Sequence, residues 1–273
     1  MTINCKGTLI DLTTPKVMGV LNITPDSFFD GGKYKNEADI LHQVEKMLFD
    51  GATFIDVGAY SSRPGATHIS EEEELKRILP VINLLLKNFS EIIISVDTFR
   101  SKVALETIGS GAGLINDISG GKIDKNMFAT VANLQVPYIL MHMLGTPQNM
   151  QKKPIYKDVT KEIISFFAAQ IHQLHQLQVN DIIIDVGFGF GKSKAHNFEI
   201  LKNLSLFKSL NAPILTGLSR KSMLYKTLDI SAQEALNATT SANTVALLHG
   251  TNILRVHDVK EAVEAVKIVA QIK

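Results

Sequence analysis

The sequence predicts a single-domain α/β protein in which eight parallel strands close into a (β/α)8 barrel, one unit spanning residues 1–273. Three observations carry that prediction. Eight short apolar runs recur along the chain, most of them separated by a stretch of helical period. Two of the runs, IIIS and DIIIDV, are almost continuously β-branched, as parallel strands buried on both faces are. Every run ends in a residue that can ionise or hydrogen-bond. In a barrel all eight strand ends open on one mouth, where such folds do their chemistry. A doubly wound open sheet shares the strand–helix alternation, but eight polar strand ends exceed what its switch-point site uses.

Taken in order, VMGVLN ends at Asn22, TFIDV carries Asp56 and IIISVD ends at Asp97. GLINDI carries Asn116 and Asp117, YILMHM reaches His142, and DIIIDV reaches Asp185. PILTGLSRK reaches Lys221, and NILRVH ends with Arg255 and His257. Between them lie helices. Ser70 with Glu73 forms a capping box that opens a helix through Leu75, Ile78, Leu79 and Ile82. Asp258 with Glu261 has the same spacing and opens the last helix. The helix after the third run is brief, between Arg100 and Gly111. Two connections are long and rich in turn residues: ITPDSFFDGGKY after Asn22, and GAYSSRPGATHIS after Val57. Loops of this kind above a barrel mouth are candidate lids and ligand clamps.

Composition narrows the function. Lys and Arg number 28 against 27 Asp and Glu, and no dense basic tract occurs, which argues against nucleic acid as a partner. The single cysteine, Cys5, cannot form an internal disulfide. The first twenty residues lack the basic end and apolar run of a signal peptide. No stretch approaches the roughly 18 consecutive apolar residues that suggest a membrane span. The expectation is a soluble cytoplasmic enzyme with no membrane partner.

Two constellations stand out. Asp97, Asn116 and Asp185 come from three strand ends and offer acceptors and donors suited to a flat, nitrogen-rich heterocycle. A lone strand-end Asp is as often a helix N-cap, and Asp97 before TFRSKVA fits that role too; three at once do not. Arg63, Lys221, Arg255 and His257 are suited to an anion. Arg255 and His257 alternate on one strand and point to the same side, just before a helix start that favours negative charge. The run GFGFGKS resembles a phosphate loop but fails its spacing, because Val186 stands where a glycine is required. Its glycines suit a tight turn or close ligand approach, with Phe188 and Phe190 as walls. His172 and His175 lack a third metal ligand and read as surface or interhelical residues. His142 reads as a packed strand-end residue, and Met141 as a soft contact for an aromatic ring.

These segments resemble the dihydropteroate synthase family through nearly the whole chain: MGVLNITPDSFFDGG, DVGAYSSRPGA, ISVDTFRSKVA, INDISGG, DVGFGFGK, GLSRKSML and RVHDV. The resemblance implies an eight-fold β/α barrel, usually a homodimer, that uses Mg²⁺. It implies the joining of 6-hydroxymethyl-7,8-dihydropterin diphosphate to p-aminobenzoate, with release of pyrophosphate, in a family targeted by sulfonamides. Carried over by motif, Asn22 is the magnesium-associated residue. Asp97, Asn116, Asp185, Lys221 and Met141 belong to the pterin site, and Arg63, Arg255 and His257 to the pyrophosphate site. Ser62, Pro64, Phe28, Phe190 and Ser219 bound p-aminobenzoate. Asp97, Asp185, Lys221, Arg255 and His257 would carry the catalysis. The chain departs from the family at Val186 (commonly proline), Ser62 (commonly threonine), Phe29 (commonly serine) and in GAYSS, which replaces a Gly-Glu-Ser-Thr-like run. Two other readings stay open: a pterin-dependent methyltransferase domain, which lacks the need for TPDSF, SSRPG and SRK with RVH, and a non-catalytic pterin-binding paralogue, which would lose the anion residues.

Overall fold

A computed structural model describes residues 1–23, 37–61, 67–147, 150 and 154–272. The chain opens with an antiparallel hairpin of β1 (Thr2–Cys5) and β2 (Thr8–Asp11) that the sequence reading does not anticipate. Its two-residue turn, Lys6 and Gly7, has φ of 53° and 82° at the two positions, the left-handed pair that matches strand twist in a tight hairpin. Ile3, Cys5 and Leu12 cluster with Met18, Phe54, Leu114, Ile139, Ile183, Leu215 and Ile253, so the hairpin plugs the N-terminal end of the barrel.

The barrel itself is closed, with β10 pairing back onto β3. Its strands are β3 (Lys16–Asn22), β4 (Phe54–Gly58), β5 (Ile94–Asp97), β6 (Leu114–Asp117), β7 (Tyr138–Met141), β8 (Ile182–Asp185), β9 (Ile214–Thr216) and β10 (Ile253–Val256). All eight expected runs supply a strand, each parallel to its neighbours. The parity of the pleat then assigns each side chain. The lower interior layer is apolar: Met18, Phe54, Leu114, Ile139, Ile183, Leu215 and Ile253. Two residues further along each strand the interior positions become Asp56, Asn116, Met141, Asp185 and Arg255, because successive side chains alternate faces. The outward set (Val57, Val96, Ile115, Leu140, Ile184, Leu254) packs under the helices in the main core.

The helices are α1 (Glu37–Phe49), α2 (Glu71–Asn88), α3 (Ser101–Gly109), α4 (Met127–Leu134), α5 (Val159–Gln176), α6 (Lys194–Lys202), α7 (Ser222–Leu228), α8 (Leu236–Leu248) and α9 (Val259–Val269). Ser70 caps α2 by accepting the Glu73 N–H at 3.2 Å. Ile78 and Ile82 of α2 are buried, and Leu75 and Leu79 are packed against the core. Asp258 occupies the N-cap position of α9 but makes no side-chain cap bond; its carboxylate is held by Arg220 instead. The brief α3 starts after Arg100, so Asp97 is not its N-cap. No helix among the described residues is long and apolar enough to cross a membrane.

Candidate active site

The mouth of the barrel is built on one arginine paired with two carboxylates. Arg255 Nε donates to Asp56 Oδ2 at 2.6 Å, and its Nη2 donates to Asp97 Oδ2 at 3.0 Å. Asn116 Nδ2 donates to the same Asp56 oxygen at 3.0 Å. The inward parity of β4, β5, β6 and β10 brings these four side chains together, and Asp56 is fully buried. Burial raises the Asp97 carboxyl to about 7; the Arg255 guanidinium opposes the rise and the nearby Asp56 carboxylate adds to it. Two acceptors here, Asn116 Oδ1 and Asp56 Oδ1, are buried with no partner among the described residues. An orphaned buried acceptor is costly, so a ligand rich in N–H donors would be stabilised here.

Across the mouth, Asp185 Oδ1 accepts the Gly187 N–H at 2.8 Å, which orients the carboxylate. Its pKa is raised by burial, with Lys221 the main opposing influence. Lys221 lies five residues beyond β9, at the N-cap position of α7, rather than at the end of a strand. Its ammonium donates to the Phe188 carbonyl and lies 4.9 Å from the Phe190 ring centroid. Burial brings its pKa down to about 8. The turn between Asp185 and α6 has Gly187, Gly189 and Gly191 at φ of 68°, 83° and 63°. A Cβ on Gly187 would collide with the His142 carbonyl oxygen, which explains glycine there. Phe188 faces the core and Phe190 the site, so only one of the two aromatic walls serves a ligand.

His257 stands just past β10. Its Nδ1 shares a hydrogen bond with Ser219 Oγ at 3.0 Å, and that oxygen also accepts the His257 backbone N–H at 3.2 Å. Burial, with Arg255 next in importance, lowers the imidazole to about pKa 4. It is therefore neutral near pH 7 and contributes hydrogen bonds, not the charge expected from its place among the cations. Between Ser219 and Lys221, Arg220 adopts a left-handed backbone (φ 54°). Its guanidinium grips Asp258 with two bonds of 2.8 and 2.9 Å, and donates to the Ala232 and Gln233 carbonyls. This clamp joins the loop carrying Lys221 to the loop carrying His257.

Asn22 closes β3 at the mouth. Its Oδ1 and the Asp97 carboxylate both border the bare α-carbon of Gly58, 3.5 and 3.7 Å from the place a Cβ would take. Met141 is buried in an apolar patch with Phe99, Ile118, Met143 and Met150, against which Phe190 and Tyr60 pack. His142 is buried against Phe166, with ring centroids 5.0 Å apart, and burial lowers it to about pKa 2, as suits a packed residue. Asp117 points away from the mouth, accepting from Tyr138 Oη at 2.6 Å and from the Ser119 and Gly121 amides. His172 and His175 are exposed. Phe28 and Phe29 fall in residues 24–36, and Ser62, Arg63 and Pro64 in residues 62–66, outside the described residues.

Three groups escaped the sequence reading. Asp56 was visible as a strand residue, and its inward parity two positions before Gly58 was the signal. Lys192 was visible only as the lysine of GFGFGKS. The third is a buried network: Arg100 Nη1 donates to Glu74 Oε2 at 2.5 Å, Thr98 donates to Oε1 at 2.7 Å, and Arg100 also holds the carbonyls of Ile69 and Ser70.

The pterin-binding enzyme family model matches residues 18–257. The dihydropteroate synthase of Escherichia coli is 42% identical over 271 residues, covering 98% of this chain and 95% of the relative. The chain belongs to the dihydropteroate synthase family. The structure of the Yersinia pestis dihydropteroate synthase with a sulfonamide drug complex superposes with a TM-score of 0.95 at 41% identity, covering 100% of this chain and 99% of that one. That of the Xanthomonas albilineans dihydropteroate synthase with 4-aminobenzoic acid gives 0.90 at 35% identity, covering 99% and 97%. Within the dihydropteroate synthase family, two departures have a structural consequence. Val186 is fully buried, and beside it the Asp185 carboxylate is oriented by the Gly187 amide. In GAYSS, Tyr60 packs edge-on to Phe99 at 4.9 Å and bonds His68 Nδ1 at 3.1 Å, so an aromatic contact stands where the family commonly has a carboxylate.

Proposed function

We infer that this protein catalyses the dihydropteroate synthase reaction, joining 6-hydroxymethyl-7,8-dihydropterin diphosphate to p-aminobenzoate and releasing pyrophosphate. The observation that carries this reading is the deep acceptor set. Asn116 Oδ1 and Asp56 Oδ1 have no partner among the described residues, and the Asp185 carboxylate, oriented by the Gly187 amide, closes a strand at the same end of the barrel. A pterin edge carries the N–H donors those atoms need. The 42% identity over nearly the full length supports the same conclusion.

The chemistry follows from charge. The bond between the pterin methylene carbon and the diphosphate oxygen breaks with its electron pair going to the diphosphate. Positive charge then develops on the pterin and negative charge on the leaving group. Asp97 and Asp185 favour the first, and Arg63, Lys221 and Arg255 favour the second, with His257 donating a hydrogen bond. One contact between unit charges at ~4 Å is worth roughly 4 kcal/mol at an effective dielectric near 20. Several such contacts supply much of an enzymatic barrier reduction without a covalent intermediate. The p-aminobenzoate nitrogen attacks the methylene carbon and loses a proton as the new carbon–nitrogen bond forms. Phe28, Ser62, Pro64, Phe190 and Ser219 bound that second substrate.

Mg²⁺ fits this mouth as a substrate-borne ion. No cluster of three or more His, Cys, Asp or Glu among the described residues forms a protein-only cage. Mg²⁺ is commonly held by one or two protein oxygens together with substrate phosphates and water. Asn22 Oδ1 would be such an oxygen, and the ion when bound would offset the charge of the leaving diphosphate. The family resemblance also supports a cytoplasmic homodimer, which sedimentation of the purified protein would check. The reading as a whole is tested by incubating the protein with both substrates and Mg²⁺ and identifying 7,8-dihydropteroate by mass. Its absence under conditions where the folded protein binds the pterin would leave a non-catalytic pterin-binding protein.

A further inference from the structure

The reaction leaves one buried ammonium without a task. Lys192 is 3% exposed, and its Nζ donates to the carbonyls of His142 at 3.1 Å, Gly187 at 2.9 Å and Phe190 at 2.9 Å. Carbonyls only accept, so three such bonds require all three protons of the charged form. A buried cation costs several kcal/mol unless it is well bonded, and Lys192 sits under the site with no proton left for substrate. Its three acceptors are informative. The His142 N–H bonds the Asp185 carbonyl at 3.0 Å, so His142 is tied to the end of β8. Gly187 supplies the N–H that orients the Asp185 carboxylate, and Phe190 supplies the ring beneath Lys221. Between them Phe188 offers the carbonyl that receives the Lys221 ammonium. On the far side Asn197 Oδ1 accepts the Gly189 N–H at 2.7 Å. The turn is thus a common frame for Asp185, Phe190 and Lys221, and Lys192 fastens it from below.

We propose that Lys192 is a positioning residue of the pterin site, whose ammonium ties residues 187–190 to the end of β7 and thereby aims the Asp185 carboxylate and the Lys221 ammonium. The proposal rests on the reading of Asp185 as a pterin ligand. It acts through charge as well as geometry. Asp185 is faced by Lys221, Arg255 and Lys192, all of which hold its carboxyl down against burial. Burial pushes the Lys192 ammonium well below its usual range; Asp185 supports its charge, Lys221 and Lys122 oppose it, and the three carbonyl acceptors hold the protonated form.

Lys192→Gln keeps two N–H donors and removes the charge; Lys192→Met removes both. Steady-state kinetics against each substrate, with pH profiles, separate positioning from scaffolding. In Lys192→Gln, loss of a charge-assisted bond raises KM for the pterin diphosphate by about 10- to 100-fold. KM for p-aminobenzoate stays close to wild type, and the acid limb of kcat/KM for the pterin moves to higher pH because Asp185 has lost a facing cation. Lys192→Met shows a larger loss in the same direction; should it fail to fold, Lys192→Gln carries the test. A folded Lys192→Gln with an unmoved acid limb, or with both substrates weakened alike, overturns the proposal. Asp185→Asn run alongside separates the two readings: wild-type pterin affinity there removes Asp185 from the site, whereas weak affinity with an unaffected Lys192→Gln removes only the role of Lys192.

Discussion

Asp185, at the end of β8, uses one carboxylate oxygen on the Gly187 amide. Asp185→Asn keeps the size and the Gly187 contact but turns a charge-assisted acceptor into a neutral one. It should weaken pterin diphosphate binding by about 1.5–3 kcal/mol while leaving the fold intact. Calorimetric titration on the folded variant checks this, and unchanged affinity would put the pterin elsewhere. Lys221 gives a pH signature. Burial brings its pKa to about 8, so the side chain is cationic below that pH and neutral above it. Affinity for the diphosphate substrate should therefore fall as pH rises through about 8. Lys221→Arg, which stays charged, should lose that limb even if its overall affinity is lower; a limb that persists in the variant assigns the titration to another group. His257 should add no limb near neutrality, because it is already neutral there.

Among the elements, the connection between β5 and α3 is anchored by Arg100, which binds Glu74 of α2 and the carbonyls of Ile69 and Ser70. Glu74 is fully buried. Glu74→Ala leaves the guanidinium without its carboxylate, so stability should drop by about 3–5 kcal/mol, the usual cost of breaking a buried pair. Urea unfolding measures it, and a loss below about 1 kcal/mol, the scale of an exposed pair, would show that solvent replaces the carboxylate. The strands themselves were legible from apolar runs with polar ends, and Ser70 was legible as a cap. The hairpin β1–β2 was not, because four-residue strands leave too little alternation to register, although the Lys6–Gly7 turn marks it in hindsight. The run through PILTGLSRK does not show where its strand ends or that Lys221 opens a helix in the site. β9 stops at Thr216, and the left-handed Arg220, held by Asp258, carries Lys221 onto the next helix instead.

For the whole molecule, the interior parity of eight strands gathers a donor–acceptor set that no local stretch of sequence contains. Asp97, Asn116, Asp185, Lys221 and Arg255 could be named from their strand ends and from the family resemblance. Their partnerships could not: Arg255 meets Asp56 and Asp97 across 199 and 158 residues of chain, and only barrel closure brings them together. That closure also changes what Arg255 does. Expected as an anion ligand, it has two nitrogens on carboxylates, so it also offsets the charge of Asp56 and Asp97. The proposed substrate-borne Mg²⁺ predicts that chelating the ion lowers turnover sharply while leaving the folded barrel unchanged by circular dichroism. The most direct test of the account is pyrophosphate release from the pterin diphosphate with and without p-aminobenzoate, followed together with formation of 7,8-dihydropteroate. The account predicts pyrophosphate and dihydropteroate in equal amounts when both substrates and Mg²⁺ are present. Failure of the folded, pterin-bound protein to release pyrophosphate when p-aminobenzoate is added, or release without matching dihydropteroate, would contradict it.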